Sequence, residues 1–204
     1  IQRMEVTYGK VPQSEILDTV LHSDIDKIKQ TLEGIDHEAF ERAIEILLSA
    51  KNIYIVGIRS CAPLASFISF YLNLIFDNVR LLTTSSSSEI FEQMIHIGEQ
   101  DVIVGISFPR YSMRTLKALE FAKNRKAKVI TLTDSTHSPM NLYSSCNLIA
   151  RSDMASIVDY LVAPLSVIND LVVALSMRKQ KEVVERLKSL EKIWDEYQVY
   201  DNKE

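Results

Sequence analysis

Residues 52–57 read NIYIVG and residues 101–106 read DVIVGI, and these two stretches decide the fold class. Each is apolar almost throughout and contains a glycine at or near its end, with no alternation of apolar and polar residues. Strands of this kind are buried on both faces, as in a parallel sheet that is covered by helices. Shorter apolar runs at 79–82, 127–132 and 146–150 are further candidate strands.

Helical patterns separate these strands and extend beyond them. Apolar residues recur at helical spacing within the ranges 14–33, 36–50, 62–75, 89–97, 112–123, 155–177 and 179–199. The alternation predicts an α/β fold with a doubly wound five-stranded parallel sheet, helices on both faces, and additional N- and C-terminal helices. The strand order expected for such a sheet is the flavodoxin-like 2-1-3-4-5.

The length of 204 residues suits one domain with helical extensions rather than two domains. We expect residues 1–35 to form a linker and a connector helix, because Gly9 and Pro12 interrupt any early periodicity. Residues 36–177 then form the main α/β domain. Residues 178–204 are expected to form a C-terminal amphipathic helix.

The charge and hydropathy of the chain argue against several classes of protein. The net charge is −4 and the pI is near 5.7, so the chain lacks the basic excess of a freestanding nucleic-acid-binding domain. The amino end is polar, and Pro164 interrupts the apolar run 160–175, which is too short to span a bilayer. We therefore expect no membrane association and a cytoplasmic location. Cys61 and Cys146 lack metal-ligand spacing, so no metal site or disulfide is predicted.

The loop after the first predicted strand is a candidate anion site. Ligands of open parallel sheets bind beyond the carboxyl ends of the strands, where the strand order reverses, here between the first and third strands. Gly57 permits a sharp turn, Arg59 adds positive charge, and Ser60 can stand at a helix start, where free N–H groups favour an anion. The loop carries neither a GxGxxG nor a GK[ST] motif, so no nucleotide cofactor is predicted.

Hydroxyl groups also follow the other predicted strands. Ser107 and Ser112 bracket Arg110 after the third strand, and Ser112 is expected to cap the next helix. The remaining candidate ligand-binding residues on this edge are Ser85, Ser86, Ser87 and Ser135. A single serine before a helix is most often only a cap. The convergence of hydroxyls and arginines from several loops, however, favours a bound phosphate.

The sequence at residues 53–60, 106–112 and 133–139 resembles the sugar isomerase (SIS) fold. More narrowly, it resembles the sugar-phosphate-binding domain of RpiR-type bacterial transcription regulators. The resemblance covers roughly residues 36–177, and the stretch SFPRYS at 107–112 is its most specific element.

The resemblance implies that this domain senses a phosphosugar, and it implies which residues contact the ligand. Ser60, Ser107 and Ser112 would hold the phosphate, with residues 85–88 and Ser135 nearby. The general phosphate loop of the family is similar to S-x-S-G-x-T, and here Pro109 and Arg110 replace its second Ser and its Gly. Arg110 is expected to compensate electrostatically.

In the RpiR-type family an amino-terminal helix-turn-helix domain binds DNA. The chain begins at Ile1 rather than Met, so we expect that this domain is missing upstream and that residues 1–35 are the connector that would follow it. DNA would be contacted only through that missing domain. The resemblance also implies a homodimer, which suits a regulator that reads palindromic DNA.

Two other functions stay open at this stage. An aldose–ketose phosphosugar isomerase needs a base near the ligand, and Glu89 is the candidate, with Glu92 beside it. Both also fit the ordinary role of acidic residues in the first turn of a helix. His96 is expected to be a partly buried helix residue, and His137 an exposed one. No base–nucleophile spacing is evident, so a sensor that does not turn its ligand over is favoured over an enzyme.

The second alternative is a dimerisation module without a ligand. The predicted helix 156–175 is apolar on more than one face, which indicates deep burial or a shared subunit interface. The last helix also has an apolar stripe, which would pack on the domain or on a second protomer.

Overall fold

The computed structural model describes residues 11–83, 86–152 and 158–200. The helices are α1 (Ile16–Gly34), α2 (His37–Ser49), α3 (Ala62–Ile75), α4 (Ser87–Gln93), α5 (Met113–Asn124), α6 (Val162–Arg178) and α7 (Gln180–Glu196). The strands are β1 (Ile53–Gly57), β2 (Val79–Leu81), β3 (Val102–Ile106), β4 (Lys128–Thr133) and β5 (Cys146–Ile149). Within the described ranges, no helix is long and apolar enough to cross a membrane.

The strands form one parallel sheet in the order β2-β1-β3-β4-β5, which confirms the predicted fold class and order. Each residue of β1 and of β3 is buried, as their uniformly apolar sequences predict. The edge strands β2 and β5 are only partly buried.

The sheet separates two apolar cores. Ile53 and Ile55 point to one face, where they pack with buried residues of α2, α3 and α6. Tyr54 and Val56 point to the other face, against α4 and α5. The alternation of neighbouring side chains between two covered faces is the physical reason why β1 consists of apolar and aromatic residues and glycine.

Two helical elements start at a side chain that acts as a cap. Asp36 accepts a hydrogen bond from the backbone N–H of Ala39 at 2.9 Å and begins α2. Ser138 accepts one from Met140 at 3.3 Å and begins the short 3-10 turn Pro139–Leu142, which replaces a full helix before β5. Short side chains that accept a hydrogen bond locally therefore set these boundaries.

The predicted helix 155–177 is wrong at its start, because α6 begins at Val162. Pro164 decides this boundary. Proline has no N–H to donate and is tolerated only in the first turn of a helix, so a helix that began at 155 would be broken there. Residues 153–157 lie outside the described ranges.

The helix predicted over 89–97 is also displaced, since α4 runs from Ser87 to Gln93. The chain then turns, with the N–H of Met94 directed at carbonyls of the last turn and the N–H of Ile97 bonded to Met94 O at 3.0 Å. His96, predicted to be partly buried in a helix, is consequently exposed in this turn.

Candidate functional site

The register of the sheet brings the ends of three strands together. Gly57 of β1 lies opposite Ile106 of β3, and Ile106 lies opposite Leu132 of β4. The backbone N–H of Ser107 continues this pairing by donating to Leu132 O at 3.2 Å. The loops 58–61, 107–112 and 134–138, called the rim loops below, therefore start side by side at the carboxyl edge of the sheet.

Ser107 and Ser112 form the centre of the candidate site. Ser107 is buried, and its Oγ accepts a hydrogen bond from the backbone N–H of Ser112 at 3.1 Å. The Oγ of Ser112 accepts in turn from the N–H of Thr115 at 3.4 Å and caps α5, as predicted. Neither hydroxyl has an acceptor for its own proton among the described residues. Both are therefore available as donors to an anion.

The start of α5 adds an electrostatic field that favours a bound anion. The first amide groups of a helix have no partner within the helix, and the helix dipole places partial positive charge there. The first turn of α5 contains no acidic residue. Arg110, in the loop just before α5, is exposed. An anion at this end would meet donors and positive charge together.

The loop after β1 achieves its turn differently from the prediction. Gly57 does not take a left-handed conformation, whereas Arg59 does, with φ of 58°. Gly57 is needed for space, because a Cβ there would lie 2.6 Å from the carbonyl oxygen of Cys61 and 3.0 Å from Cβ of Ala65. Ser60 lies in the 3-10 turn Arg59–Cys61, and both Arg59 and Ser60 are exposed.

Cys61 connects the first two rim loops. Burial raises the pKa of its thiol to about 11, although hydrogen bonding to the backbone of Phe108 and to the side chain of Ser60 works in the opposite direction. The same thiol thus lies between the loop that carries Ser60 and the loop that carries Ser107. The thiol stays protonated near neutral pH and acts as a packed, weakly polar group.

The third rim loop is joined to the second by Tyr111 and Asp134. The Tyr111 hydroxyl donates to Oδ1 of Asp134 at 2.7 Å. Burial and this hydrogen bond both raise the pKa of Tyr111. The sequence interpretation missed the pair. The signal available was the position of each residue, since Tyr111 lies inside the SFPRYS stretch and Asp134 follows β4 directly.

The other predicted ligand-binding residues are less central. The Oγ of Ser135 accepts from the backbone N–H of His137 at 3.1 Å, so it stabilises its own turn. Ser86 caps α4 by accepting from the N–H of Glu89 at 3.4 Å. The predictions for Ser85 and for the side chain of Ser87 lie outside the described residues.

The candidate base of an isomerase is not enclosed. Glu89 is in the first turn of α4, and Glu89 and Glu92 are both exposed. His137 is exposed in the third rim loop, as predicted. Among the described residues, no three His, Cys, Asp or Glu side chains are gathered where they could hold a metal ion.

A second concave feature lies between helices rather than at the rim. It has a volume of about 400 Å³ and is mostly apolar. Its walls come from α1, the α1–α2 connection, α2 and α6, and include Ile28, Leu32, Phe40, Val173 and Met177. No rim-loop residue lines it, so it is separate from the serine-bearing site.

Comparisons with known proteins agree with the observed fold. A family model for the SIS domain matches residues 46–187. An uncharacterized HTH-type transcriptional regulator of Clostridium perfringens is 27% identical over 136 residues, which are 66% of this chain and 48% of that protein. The chain therefore spans about half the length of this relative.

Two solved structures are similar over most of the chain. The sugar isomerase domain of the RpiR transcription factor from Sphaerobacter thermophilus superposes with a TM-score of 0.83 at 26% identity, covering 87% of this chain and 99% of that one. The Vibrio vulnificus NanR protein, complexed with ManNAc-6P, superposes with a TM-score of 0.78 at 18% identity. That match covers 91% of this chain and 70% of NanR, and it shows the fold alone.

Proposed function

This chain belongs to the SIS domain family, and we propose that it is the sugar-phosphate-sensing domain of a bacterial transcription regulator. The observation that carries the proposal is the arrangement of Ser107 and Ser112 at the start of α5, where both hydroxyls keep a proton to donate. The matches to an HTH-type regulator and to an RpiR transcription factor support the regulatory role.

The phosphate would be held mainly by hydroxyl and amide donors. Ser107, Ser112 and the first-turn amides of α5 would contact it, with Ser60 from the neighbouring loop and positive charge from Arg59 and Arg110. A hydrogen bond to a charged group contributes about 1.5–3 kcal/mol net. Several such bonds are enough for micromolar affinity, about −8 kcal/mol, once the cost of association is subtracted.

Binding without turnover fits the exposure of Glu89 better than catalysis does. A base that removes a proton next to a carbonyl is often buried, which brings its pKa near neutral pH. Glu89 and Glu92 are exposed on α4. An isomerase therefore remains an outcome of the experiment below rather than the favoured function.

We further propose that the domain acts as a homodimer in the cytoplasm. An apolar stripe of α1 is left largely uncovered, comprising Ile16, Leu17, Leu21, Ile25, Ile28 and Leu32. On α6, Val173 and Met177 are 54% and 71% exposed. Contiguous apolar surface of this kind is typical of an interface, and a second copy would cover it. A ligand that binds one arrangement of the dimer better would shift attached DNA-binding domains.

The test is a calorimetric titration with hexose, pentose, amino-sugar and N-acetyl-sugar phosphates, while each mixture is assayed for isomerised product. We expect saturable binding of at least one compound without turnover. Ser107→Ala and Ser112→Ala should each weaken it about tenfold or more, because losing one charged hydrogen bond costs about 1.5–3 kcal/mol and about 1.4 kcal/mol is a factor of ten. Ser189→Ala is the matched control, since Ser189 lies on α7 and its hydroxyl donates to Glu185 O within its own helix.

Each alternative function has its own result. Turnover that disappears in Glu89→Gln would identify an isomerase. A dimer that binds no phosphosugar would leave only the dimerisation module.

A further inference from the structure

The side chain of Tyr111 spans two rim loops. Tyr111 belongs to the loop after β3, and its hydroxyl donates to Oδ1 of Asp134, which follows β4, at 2.7 Å. Both side chains are half-buried. The two residues are 23 positions apart in the chain, so the hydrogen bond exists only when the two loops are correctly placed.

The Asp134 end of this contact is anchored in the protein interior. The Thr133 hydroxyl lies 3.2 Å from Oδ1 of Asp134 and 3.0 Å from Oγ of Ser138. Thr133 and Ser138 are buried, and Ser138 also accepts from the backbone N–H of Met140 at 3.3 Å. Asp134 is therefore held by a buried hydroxyl network that the sheet itself positions, and it offers Tyr111 a fixed acceptor.

The Tyr111 end is attached directly to the phosphate-binding centre. Tyr111 precedes Ser112, whose backbone N–H is bonded to Ser107 and whose side chain caps α5. Holding the Tyr111 side chain thus restrains the backbone just before these donors. Preorganised donors bind more tightly because less order has to be imposed on binding.

A carboxylate at this position is otherwise unexpected. Like charges repel, so an aspartate beside an anion site lowers the affinity for a phosphate unless it does something else. Accepting the Tyr111 hydrogen bond is a role that needs an oxygen acceptor but no negative charge.

We propose that Tyr111 and Asp134 are a positioning pair, which holds the loop 107–112 in the shape that binds the phosphate of the ligand. The inference rests on the proposed function, since it concerns the same site. It adds residues that act on the phosphate through Ser107 and Ser112 rather than by contact.

The experiment compares Tyr111→Phe, Asp134→Ala and Asp134→Asn in titrations with inorganic phosphate and with the tightest-binding sugar phosphate of the panel. We expect Tyr111→Phe and Asp134→Ala each to weaken both ligands by about tenfold, the typical effect of losing one such hydrogen bond. The double variant should lose less than the sum of the two single losses, because both substitutions remove the Tyr111–Asp134 hydrogen bond. Asp134→Asn keeps Oδ1 as an acceptor and should bind at least as tightly as the wild type.

The control is Tyr143→Phe, since Tyr143 is also half-buried but its hydroxyl has no hydrogen bond within the described residues. It should leave both affinities unchanged. Unfolding midpoints of all variants show whether any loss of affinity comes from unfolding, and Asp134→Asn keeps the test decisive if Asp134→Ala is unstable.

Several results would overturn the inference. Tighter binding by Asp134→Ala would show that the carboxylate only repels the anion. Wild-type affinity in Tyr111→Phe, with or without a loss in Asp134→Ala, would show that the hydrogen bond does not position the loop. Weaker sugar-phosphate binding with unchanged phosphate binding would mean that the pair contacts the sugar. A wild type that binds neither ligand would refute the proposed function, and the inference with it.

Discussion

The backbone N–H of Ser112 donates to the hydroxyl oxygen of Ser107 at 3.1 Å, although the two residues are five positions apart in the chain. This contact joins the end of β3 to the start of α5. It also occupies a lone pair of Ser107 while leaving the hydroxyl proton unused by the described residues. A loop closed in this way presents donors in a fixed direction, which is what binding a phosphate requires.

The close approach of Gly57 to Cys61 predicts that adding a single methyl group at position 57 lowers the stability of the fold. In Gly57→Ala the new Cβ would lie 2.6 Å from a backbone oxygen, which can yield only if the rim loop moves. We expect the free energy of unfolding, measured by urea denaturation, to fall by about 1–3 kcal/mol, as for other overpacked sites.

Gly34→Ala is the matched control, because a Cβ at Gly34 meets no atom within 4 Å. It should leave the stability unchanged or raise it by about 0.5 kcal/mol. Equal losses in the two variants would contradict the steric explanation.

The hydroxyl of Thr115 predicts a stabilising substitution. Thr115 is fully buried in the first turn of α5, and among the described residues its Oγ1 has no hydrogen-bond partner. An unsatisfied buried polar group costs about 1–3 kcal/mol. Thr115→Val should therefore raise the free energy of unfolding by about 1 kcal/mol.

Thr131→Val provides the opposite case. Thr131 is equally buried, but its hydroxyl donates to Oδ1 of Asn147 at 2.8 Å. This variant should lose about 1 kcal/mol of stability. If both threonine variants were destabilised alike, the hydroxyl of Thr115 would have to have a partner after all.

The burial of Cys61 predicts that its thiol is alkylated slowly in the folded protein. Its pKa of about 11, against an ordinary value of 9.0, leaves roughly one-hundredth of the usual thiolate at pH 8. Alkylation of Cys61 by iodoacetamide, followed by mass spectrometry, should be at least about a hundredfold slower in the folded protein than in urea. Equal rates in the two states would contradict the burial of this thiol.

The same shift has a consequence for stability. The folded protein keeps the Cys61 proton to higher pH than the unfolded chain does. The contribution of the protonated Cys61 thiol to the free energy of unfolding is therefore complete below pH 9.0. It is lost as the pH rises towards 11.

The contacts of Arg186 predict that this side chain anchors α7 to the end of α3. Its guanidinium donates to the carbonyl oxygens of Asn73 and Phe76 at 3.0 and 3.1 Å, at the end of α3, and also contacts Asp77. Arg186→Ala should lower the free energy of unfolding by about 1–3 kcal/mol, because it leaves a partly buried carbonyl without its donor. Hydrogen exchange should show earlier opening of α7.

Arg178 is the control for this prediction. It makes ion pairs with Glu41 and Glu45 at 2.9 and 3.0 Å, but all three side chains are largely exposed. Arg178→Ala should cost no more than about 1 kcal/mol, and less at high salt. A larger loss at Arg178 than at Arg186 would reverse our ranking of the two contacts.

The strands and their order could be predicted because the apolar runs are short, uniform and bounded by polar residues or glycine. Caps such as Asp36, Ser112 and Ser138 could be predicted for a similar reason, since a side chain that bonds two or three residues ahead is a local event. The strand positions and the caps depend on neighbouring residues alone, and the strand order follows from the doubly wound topology.

The features that were missed depend on distant residues or on competing local signals. Arg59 takes a left-handed conformation, and nothing in the side chain of arginine favours it. The contact of Tyr111 with Asp134 requires the sheet register. At α6, the apolar periodicity extended across Pro164 and concealed the true helix start. The predicted domain limits at 35 and 177 remain predictions.

The measurement that tests the central claim most directly is a map of backbone amide resonances, recorded by NMR on the isotope-labelled protein during titration with the tightest-binding sugar phosphate. We predict the largest shifts at Ser107, Ser112 and the first turn of α5, with smaller shifts at Arg59 and Ser60. Shifts centred instead on Phe40 and Met177, in the groove between α1, α2 and α6, would contradict the claim that the serine-bearing rim binds the phosphate.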